Sequence, residues 1–542
     1  MNKVLLISYR FPPQGGGGVQ RTLKYVKFLR DHGFEPVVQT ASGAVWPVQD
    51  ASLLQEIPAG VRIHHTPTLE PERIEAALSG LFRPLASLLR GSKKKAAPKG
   101  SSSSILSSAT PRATPTRRAK AAAPKRPHPL RRLRDRLYGR LFIPDQQVTW
   151  VPLAVAHGLR IARREGIDIV YTSSPPNSVH FVGGRIAKRL GLPWVADFRD
   201  PWTDGPRRRR SYVGNLRRQR KEMAQEEWVL RNADRIVVSA PALRERFLEK
   251  YRFLRPEMLH VLTNGFDRAD LAASAEEQSG LEPGLFHITG TGNIEAMIDL
   301  KPFLEAVAEA CAEHEGLGRA LRLNLVGAKR GQWDAEIARL GLGERIRYSG
   351  WTPHVRALKF LMDSQVLLMC QLVEEGGGGE KLSGKFFEYL ATGKPILALT
   401  VPGLTATILK ETGVGLVHAP ADKEGIKQSL LRAFTEQSAT RTNDAEVVSR
   451  FDAREPAAPE SQPGQTAHAE VVSRFDRRVL AARLAALFEE VLAERRGRVP
   501  TGTSGGGRRD PQPIGSNPAQ ESGRLPPIRS TIGTASSPES QP

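Results

Sequence analysis

Short apolar runs alternate with stretches of helical spacing along most of this 542-residue chain. The first run, KVLLIS at 3 to 8, leads through a Pro/Gly loop into VQRTLKYVKFL, where apolar positions recur every three to four residues, and then into EPVVQT. Apolar runs bounded by turn residues read as strands and the three-to-four spacing reads as a helix, so the chain opens β-loop-α-β. The alternation resumes with DIVYT (168 to 172), a helix over SVHFVGGRIAKRL, PWVADF (193 to 198), a helix through EEWVLRNA, DRIVVS (234 to 239) and MLHVLTN (258 to 264). A second series starts at LFHITG (285 to 290) and runs through LRLNLVG, RIRYSG, QVLLMC, PILALT and GLVHA, with a helix expected in each interval. Strands alternating with helices of ten or more residues form parallel sheets covered on both faces. The pattern predicts an α/β protein with two doubly wound units in tandem.

Two segments break the pattern. The span from about 91 to 130 is rich in Lys, Ser, Pro and Ala, and the tail from 497 to 542 in Gly, Pro, Ser and Arg. Neither can bury enough apolar surface to offset its ordering entropy, and both are expected to be disordered. The octapeptide AEVVSRFD occurs at 445 to 452 and again at 469 to 476. Two copies do not make a solenoid; the first copy leads into the linker AREPAAPESQPG and the second into the amphipathic stretch RRVLAARLAALFEEVLAE. The expected organisation is a first domain over 1–265 with the basic insertion, a second over 266–435, a linker over 436–468, a terminal helix over 469–496 and the tail.

Composition narrows the class. Hydrophobic residues at 40% and charged residues at 25% fit an ordinary soluble protein. No window approaches the ~20 apolar residues of a membrane span, and the opening MNKVLLISYRFPP has too short an apolar run for a secretory signal, so a cytoplasmic location is expected. The two cysteines, Cys311 and Cys370, are too few for a disulfide framework or a zinc site and read as small hydrophobes. The net charge of +22 suggests nucleic acid until it is localised. Residues 90 to 136 hold fifteen Lys or Arg against the single acid Asp135, with no Phe, Trp or Tyr among them, and Arg207 to Arg210 add a second cluster. Without stacking aromatics or a recognition helix, nucleic acid is not expected as a partner. A solvated insertion, or one attracted to an anionic membrane surface, fits the charge.

Two segments carry candidate chemistry. Gly15, Gly16, Gly17 and Gly18 follow the first strand and precede a helix, where backbone amides can receive an anion. The dinucleotide pattern fails, because Gln20 and Arg21 stand where its last glycine would fall, and the second strand ends Gln39-Thr40 without the acid that holds a ribose. A plain strand-to-helix turn would read the same. The second segment, EKLSGKFFEYLATGKP at 380 to 395, places Glu380 and Glu388 eight residues apart around a helix start at Gly384, with Lys385 in its first turn. A carboxylate suits ribose hydroxyls, while a lysine and free amides suit a pyrophosphate. A solvated charge pattern on an exposed helix explains Glu388 or Lys385 singly, but less well the glycine that ends the helix and the proline that admits the strand PILAL.

This segment resembles the E-x7-E signature of the group-4-like retaining glycosyltransferases of the GT-B fold, and YRFPPQGGGG (9 to 18), ADFRDPW (196 to 202), TNGFD (263 to 267) and HITGTGN (287 to 293) agree with it in order and spacing. The resemblance covers residues 1 to 85, 138 to 435 and 469 to 495. It implies two facing Rossmann-like doubly wound domains binding a nucleotide-sugar between them, and a terminal helix crossing back onto the first domain. It also implies that Glu388 holds the donor ribose, that Glu380 contacts sugar hydroxyls, and that Gly15 to Gly18, with Gly290 and Gly292 of the second domain's first loop, line the donor phosphates. Two positions depart from the family. A histidine common at the end of the strand PWVADF is replaced in Asp197-Phe198-Arg199-Asp200, and the basic pair that clamps the pyrophosphate is incomplete, with Lys301 the nearest candidate and Lys385 able to share the work.

The reaction implied is glycosyl transfer from a nucleoside diphosphate sugar to a glycan or lipid-linked acceptor. The nucleotide-sugar is then a substrate, and neither a cofactor nor a metal is expected, no Asp-x-Asp motif being evident. Asp200 and Arg199 are the candidate acceptor or sugar contacts, although a buried pair fixing the loop accounts for them equally. Two other readings stand beside this one: a nucleotide-sugar 2-epimerase of similar fold, and a non-catalytic membrane or nucleic-acid adaptor that uses the basic insertion.

Overall fold

The computed structural model describes residues 1–44, 48–68, 70, 142–205, 212, 215–292, 294, 298–328, 330–371, 382–441 and 463–497. The basic insertion, the first AEVVSRFD copy, the tail and Glu380 lie outside these residues.

In the first half, β1 (Asn2–Ile7), α1 (Gly17–Phe28), β2 (Phe34–Ser42) and β3 (Arg62–Pro67) precede the insertion. After it come α2 (Val151–Glu165), β4 (Ile169–Ser174), α3 (Ser178–Leu190), β5 (Trp194–Phe198), α4 (Leu216–Asn232), β6 (Arg235–Val238), α5 (Pro241–Lys250) and β7 (Leu259–Val261). The seven strands form one sheet in the order β3-β2-β1-β4-β5-β6-β7, every neighbouring pair parallel. Because both faces are covered, β1 is apolar without alternation. Leu5 and Ile7 pack with α2 and α3 on one face, and Val4 and Leu6 with α1 on the other.

The second half repeats the plan. It contains α6 (Arg268–Ala273), β8 (Phe286–Thr291), α7 (Lys301–Glu313), α8 (Glu315–Ala320), β9 (Leu321–Val326), α9 (Asp334–Arg339), β10 (Ile346–Gly350), α10 (His354–Met362) and β11 (Val366–Cys370). There follow α11 (Gly384–Ala391), β12 (Ile396–Leu399), α12 (Leu404–Glu411), β13 (Gly415–His418) and α13 (Lys423–Arg441). Its six parallel strands take the order β10-β9-β8-β11-β12-β13. In each sheet the order reverses beside the first strand, at β1/β4 and at β8/β11, which opens a crevice at the carboxyl ends where such sheets bind ligands. The two Rossmann-like units foreseen from the pattern are both present. Cys370 is buried and Cys311 half-buried.

Three local expectations need correction. The strand β3 and the helix α2 were not foreseen, since RIHHTP is an edge strand with little apolar content. The strand expected over 258 to 264 is only Leu259–Val261, because Leu262 and Thr263 turn their carbonyls to Arg21. The terminal helix expected over 469–496 is two helices, α14 (Pro463–Ser473) and α15 (Arg477–Gly497).

The break has a physical cause. Phe475 leaves the helical path to pack on Phe387 of the second half at 4.8 Å between ring centroids, and Asp476 Oδ1 accepts the Arg478 amide to start α15. The segment then lies beside the crossing at 263 to 267. The Phe266 amide donates to the Phe475 carbonyl at 3.1 Å, and the Arg477 amide to the Phe266 carbonyl at 2.9 Å. A β-carbon at Gly265 would fall 2.1 Å from the Phe475 oxygen, so the two crossings approach closely only because that position is glycine. Beyond the break, Leu480, Leu484, Leu487, Phe488 and Val491 of α15 are buried in the core of the first half, where Phe488 meets Phe34 and Tyr171 edge-on.

Candidate active site

The turn after β1 delivers α1 with Gly16 as its first cap, at φ +93°, a conformation glycine adopts without strain. No acid occupies the first turn, and the guanidinium of Arg10 lies beside Gly18. Burial, and then repulsion from Arg199, bring the pKa of Arg10 down to about 10. Arg199 itself donates to the carbonyls of Gly18, of Ser174 (2.7 Å) and of Pro175 (2.9 Å). Its guanidinium is therefore engaged in fastening the glycine loop to the end of β4. Asp200 follows half-buried on the same turn; burial holds the Arg199 pKa below its ordinary value, and Asp197 and Asp200 offset this only in part.

Asp197 is fully buried at the end of β5. It accepts from Arg21 Nε at 2.8 Å and Arg21 Nη2 at 2.9 Å, from the Tyr171 hydroxyl at 2.6 Å and from the Ser173 hydroxyl at 2.8 Å. Burial alone would raise the carboxyl pKa, but the Arg21 charge and these donors outweigh it and hold the group below its ordinary value. Arg21 also donates to the carbonyls of Thr263 (2.7 Å) and Leu262 (2.8 Å), which ties α1 to the exit of β7. One turn further, Lys24 lies among Glu56, Asp267 (2.9 Å) and Asp270 (2.5 Å), and Lys27 reaches Asp267 at 2.6 Å. Charged side chains three residues apart on the buried face of α1 were a legible signal that the sequence reading did not use.

In the second half the glycines of HITGTGN clear a space. A β-carbon at Gly290 would meet Ile294 at 2.2 Å. Gly292, at φ +92°, donates its amide to the Val326 carbonyl at 2.6 Å, and a β-carbon there would fall 1.8 Å from Lys385 Nζ. The Tyr389 hydroxyl accepts the Thr291 amide at 2.7 Å and fixes the end of β8 against α11.

Lys385 sits in the first turn of α11, as its sequence position implies, and Glu388 one turn later. The Lys385 side chain is exposed, with its ammonium against Gly292; the protein packed beside it draws its pKa below the ordinary lysine value, with Glu388 pulling the other way. Among the described residues it makes no ion pair or hydrogen bond. Glu388 is half-buried and faces His354 at 3.8 Å. Lys301 begins α7, largely exposed, with its ammonium 4.0 Å from Glu305 and its amide on Asp299.

The structure thus brings Gly292, Lys385 and Glu388 together, and brings Arg199 to Gly18. It engages Lys301 with its own helix. Two parallel sheets with helices on both faces, each presenting a glycine loop at its carboxyl edge, define a class of two-domain Rossmann-like proteins that bind ligands at those edges. Residues 100–265 match the glycosyl transferase 4-like domain model and residues 286–436 the model of glycosyl transferases group 1. A 2-deoxystreptamine glucosyltransferase of Streptomyces kanamyceticus is 25% identical over 323 residues, covering 56% of this chain and 77% of the relative. A glycosyltransferase from Rickettsia africae superposes with TM-score 0.50 at 12% identity, over 91% of this chain and 98% of its own. The sucrose-phosphate synthase of Thermosynechococcus elongatus gives 0.50 at 14% identity, over 91% and 100%. The chain belongs to the group-1/4-like glycosyltransferases of the GT-B fold and is a sugar-transferring enzyme. Among the described residues no helix is long and apolar enough to cross a membrane.

Proposed function

We propose that this enzyme moves a glycosyl group from a nucleoside diphosphate sugar to a glycan or lipid-linked acceptor, with retention at the anomeric carbon and without a metal. The observation that carries the proposal is Lys385, an exposed lysine whose ammonium is seated against Gly292 and which makes no hydrogen bond or ion pair among the described residues. Such a cation is suited to an anion brought by the substrate, and the amides around a glycine-cleared strand end suit a pyrophosphate. As the glycosyl bond to the pyrophosphate breaks, negative charge grows on the leaving oxygen; a positioned cation stabilises that state more than the ground state. Glu388 then accepts hydroxyl hydrogen bonds of the donor ribose, and Glu380 and Asp200 are assigned to sugar or acceptor contacts. Arg199 acts through the loop it fastens, holding Gly15 to Gly18 over the donor phosphates. The polybasic stretch at 90 to 136 supports an acceptor held at an anionic membrane surface.

A thermal-shift panel with UDP, GDP, ADP, TDP and their sugars tests the reading. One nucleotide at about 100 times its Kd is expected to stabilise the protein by about 2.7 kcal/mol, and Glu388→Ala is expected to abolish most of that gain. A panel without any response would overturn the assignment.

A further inference from the structure

The two halves meet close to the donor carboxylate through a histidine that the sequence reading passed over. The Asp50 amide donates to the Pro13 carbonyl at 2.8 Å and the Gly15 amide to the Val48 carbonyl at 3.0 Å, so the segment before the 3-10 turn at Ala51–Glu56 is pinned to the glycine loop. Asp50 Oδ2 in turn accepts the amide of His354, the first residue of α10, at 3.4 Å. The His354 side chain then lies between two carboxylates on a single nitrogen, with Nε2 3.3 Å from Asp270 Oδ2 and 3.8 Å from Glu388 Oε1. Asp270 also accepts from Lys24 of α1. A path of direct contacts therefore runs from the glycine loop through Asp50 and His354 to Glu388.

A nitrogen facing two carboxylates must carry a proton, and an imidazolium is attracted by both. We propose that His354 is a positioning residue for Glu388, fixed by Asp50 and Asp270 so that it sets the direction in which the Glu388 carboxylate is offered to the donor. The inference rests on the reading of Glu388 as a donor contact. Geometry supports it in two ways. Glu388 has no closer cationic neighbour than His354 among the ion pairs of the described residues, and His354 cannot turn without leaving Asp270. The charged groups facing His354 are Asp270 from α6, Glu388 from α11, Lys24 from α1 and Asp50 from the pinned segment. Arg477 of α15 lies near enough to Glu388 and Asp270 to feel both charges. Burial pulls the His354 pKa down, but Glu388 and Asp270 push it up to a net value of about 9. The imidazolium is accordingly present at neutral pH and is lost as pH rises through about 9.

The experiment is nucleotide binding by calorimetry, from neutral to alkaline pH, for the wild type, His354→Gln, Glu388→Gln and the double variant, using whichever nucleotide stabilises the protein. His354→Gln is expected to weaken binding about tenfold at neutral pH and to remove the part of the alkaline loss of affinity that is not the nucleotide's own titration, which all four proteins share. On the Glu388→Gln background the same substitution is expected to add nothing. Losses that add in the double variant, or an unaltered pH profile, would reduce His354 to a domain contact and overturn the proposal. His354→Lys, which keeps a cation, guards against a folding defect; it is expected to recover affinity and to move the alkaline loss to higher pH, and failure to do either counts against the proposal. Wild-type binding by Glu388→Gln would instead remove the donor reading of Glu388 itself. Weakened binding by Glu388→Gln beside wild-type binding by His354→Gln would remove the positioning role alone.

Discussion

Replacing Asp197 with Asn is expected to lower the unfolding free energy at neutral pH by about 3–5 kcal/mol, the usual cost of stranding a buried charge by removing its partner. Arg21 would keep its two carbonyl acceptors at Leu262 and Thr263 but would face an amide NH2 in place of one of its two carboxylate oxygens and would lose its counter-charge, while Tyr171 and Ser173 would donate to a neutral amide. The sign with pH follows from the lowered pKa of Asp197. A carboxyl held below its unfolded value contributes its full stability above about 4 and loses it as pH falls through the folded value. The gap between wild type and variant, measured by urea unfolding, should therefore be widest at neutral pH and close on the acid side. A gap that stays constant into acid would show that Asp197 matters for packing and not for charge.

The second large effect is expected from Lys385→Ala, which should raise the Kd for the donor nucleotide about 30-fold or more. That corresponds to about 2 kcal/mol, the scale of removing one charged partner from an ion pair in a partly desolvated site. Unlike Asp197→Asn, it should leave the melting temperature of the free enzyme almost unchanged. Lys385 makes no ion pair among the described residues, and its lowered pKa records that folding places the ammonium where it is less comfortable than in water. Weaker binding at undiminished stability separates a ligand-directed lysine from a structural one. A change in Kd below about threefold, the scale of an exposed ion pair, would sink the pyrophosphate assignment.

Strand and helix order was legible because both sheets are parallel and buried, so that β1, β11 and β12 announce themselves as unbroken apolar runs and β4, β5 and β8 as short apolar starts. The edge strand β3 did not, since RIHHTP carries a polar face. The helix break at 474 to 476 was hidden for a different reason: local spacing through VVSRFDRRVL continues a helical period, and only the contact of Phe475 with Phe387 interrupts it. At the candidate site, Lys385 and Glu388 stand out in the sequence because a glycine and a proline bracket their helix. His354 does not, because a lone histidine after Thr-Pro gains its meaning from Asp50, Asp270 and Glu388, which lie 304, 84 and 34 positions away. Asp197 and Arg21 are 176 residues apart, and no spacing rule links them.

The paired crossings at 263 to 267 and 474 to 477 make the second half an insert within the first. Residues 1 to 262 supply a sheet whose α1 face is completed only by Leu480, Leu484, Phe488 and Val491. During synthesis that face stays uncovered while the entire second half leaves the ribosome and closes its own core, to which α15 contributes nothing. The later-made half can thus mature before the earlier-made one, and the order of assembly runs against the order of translation.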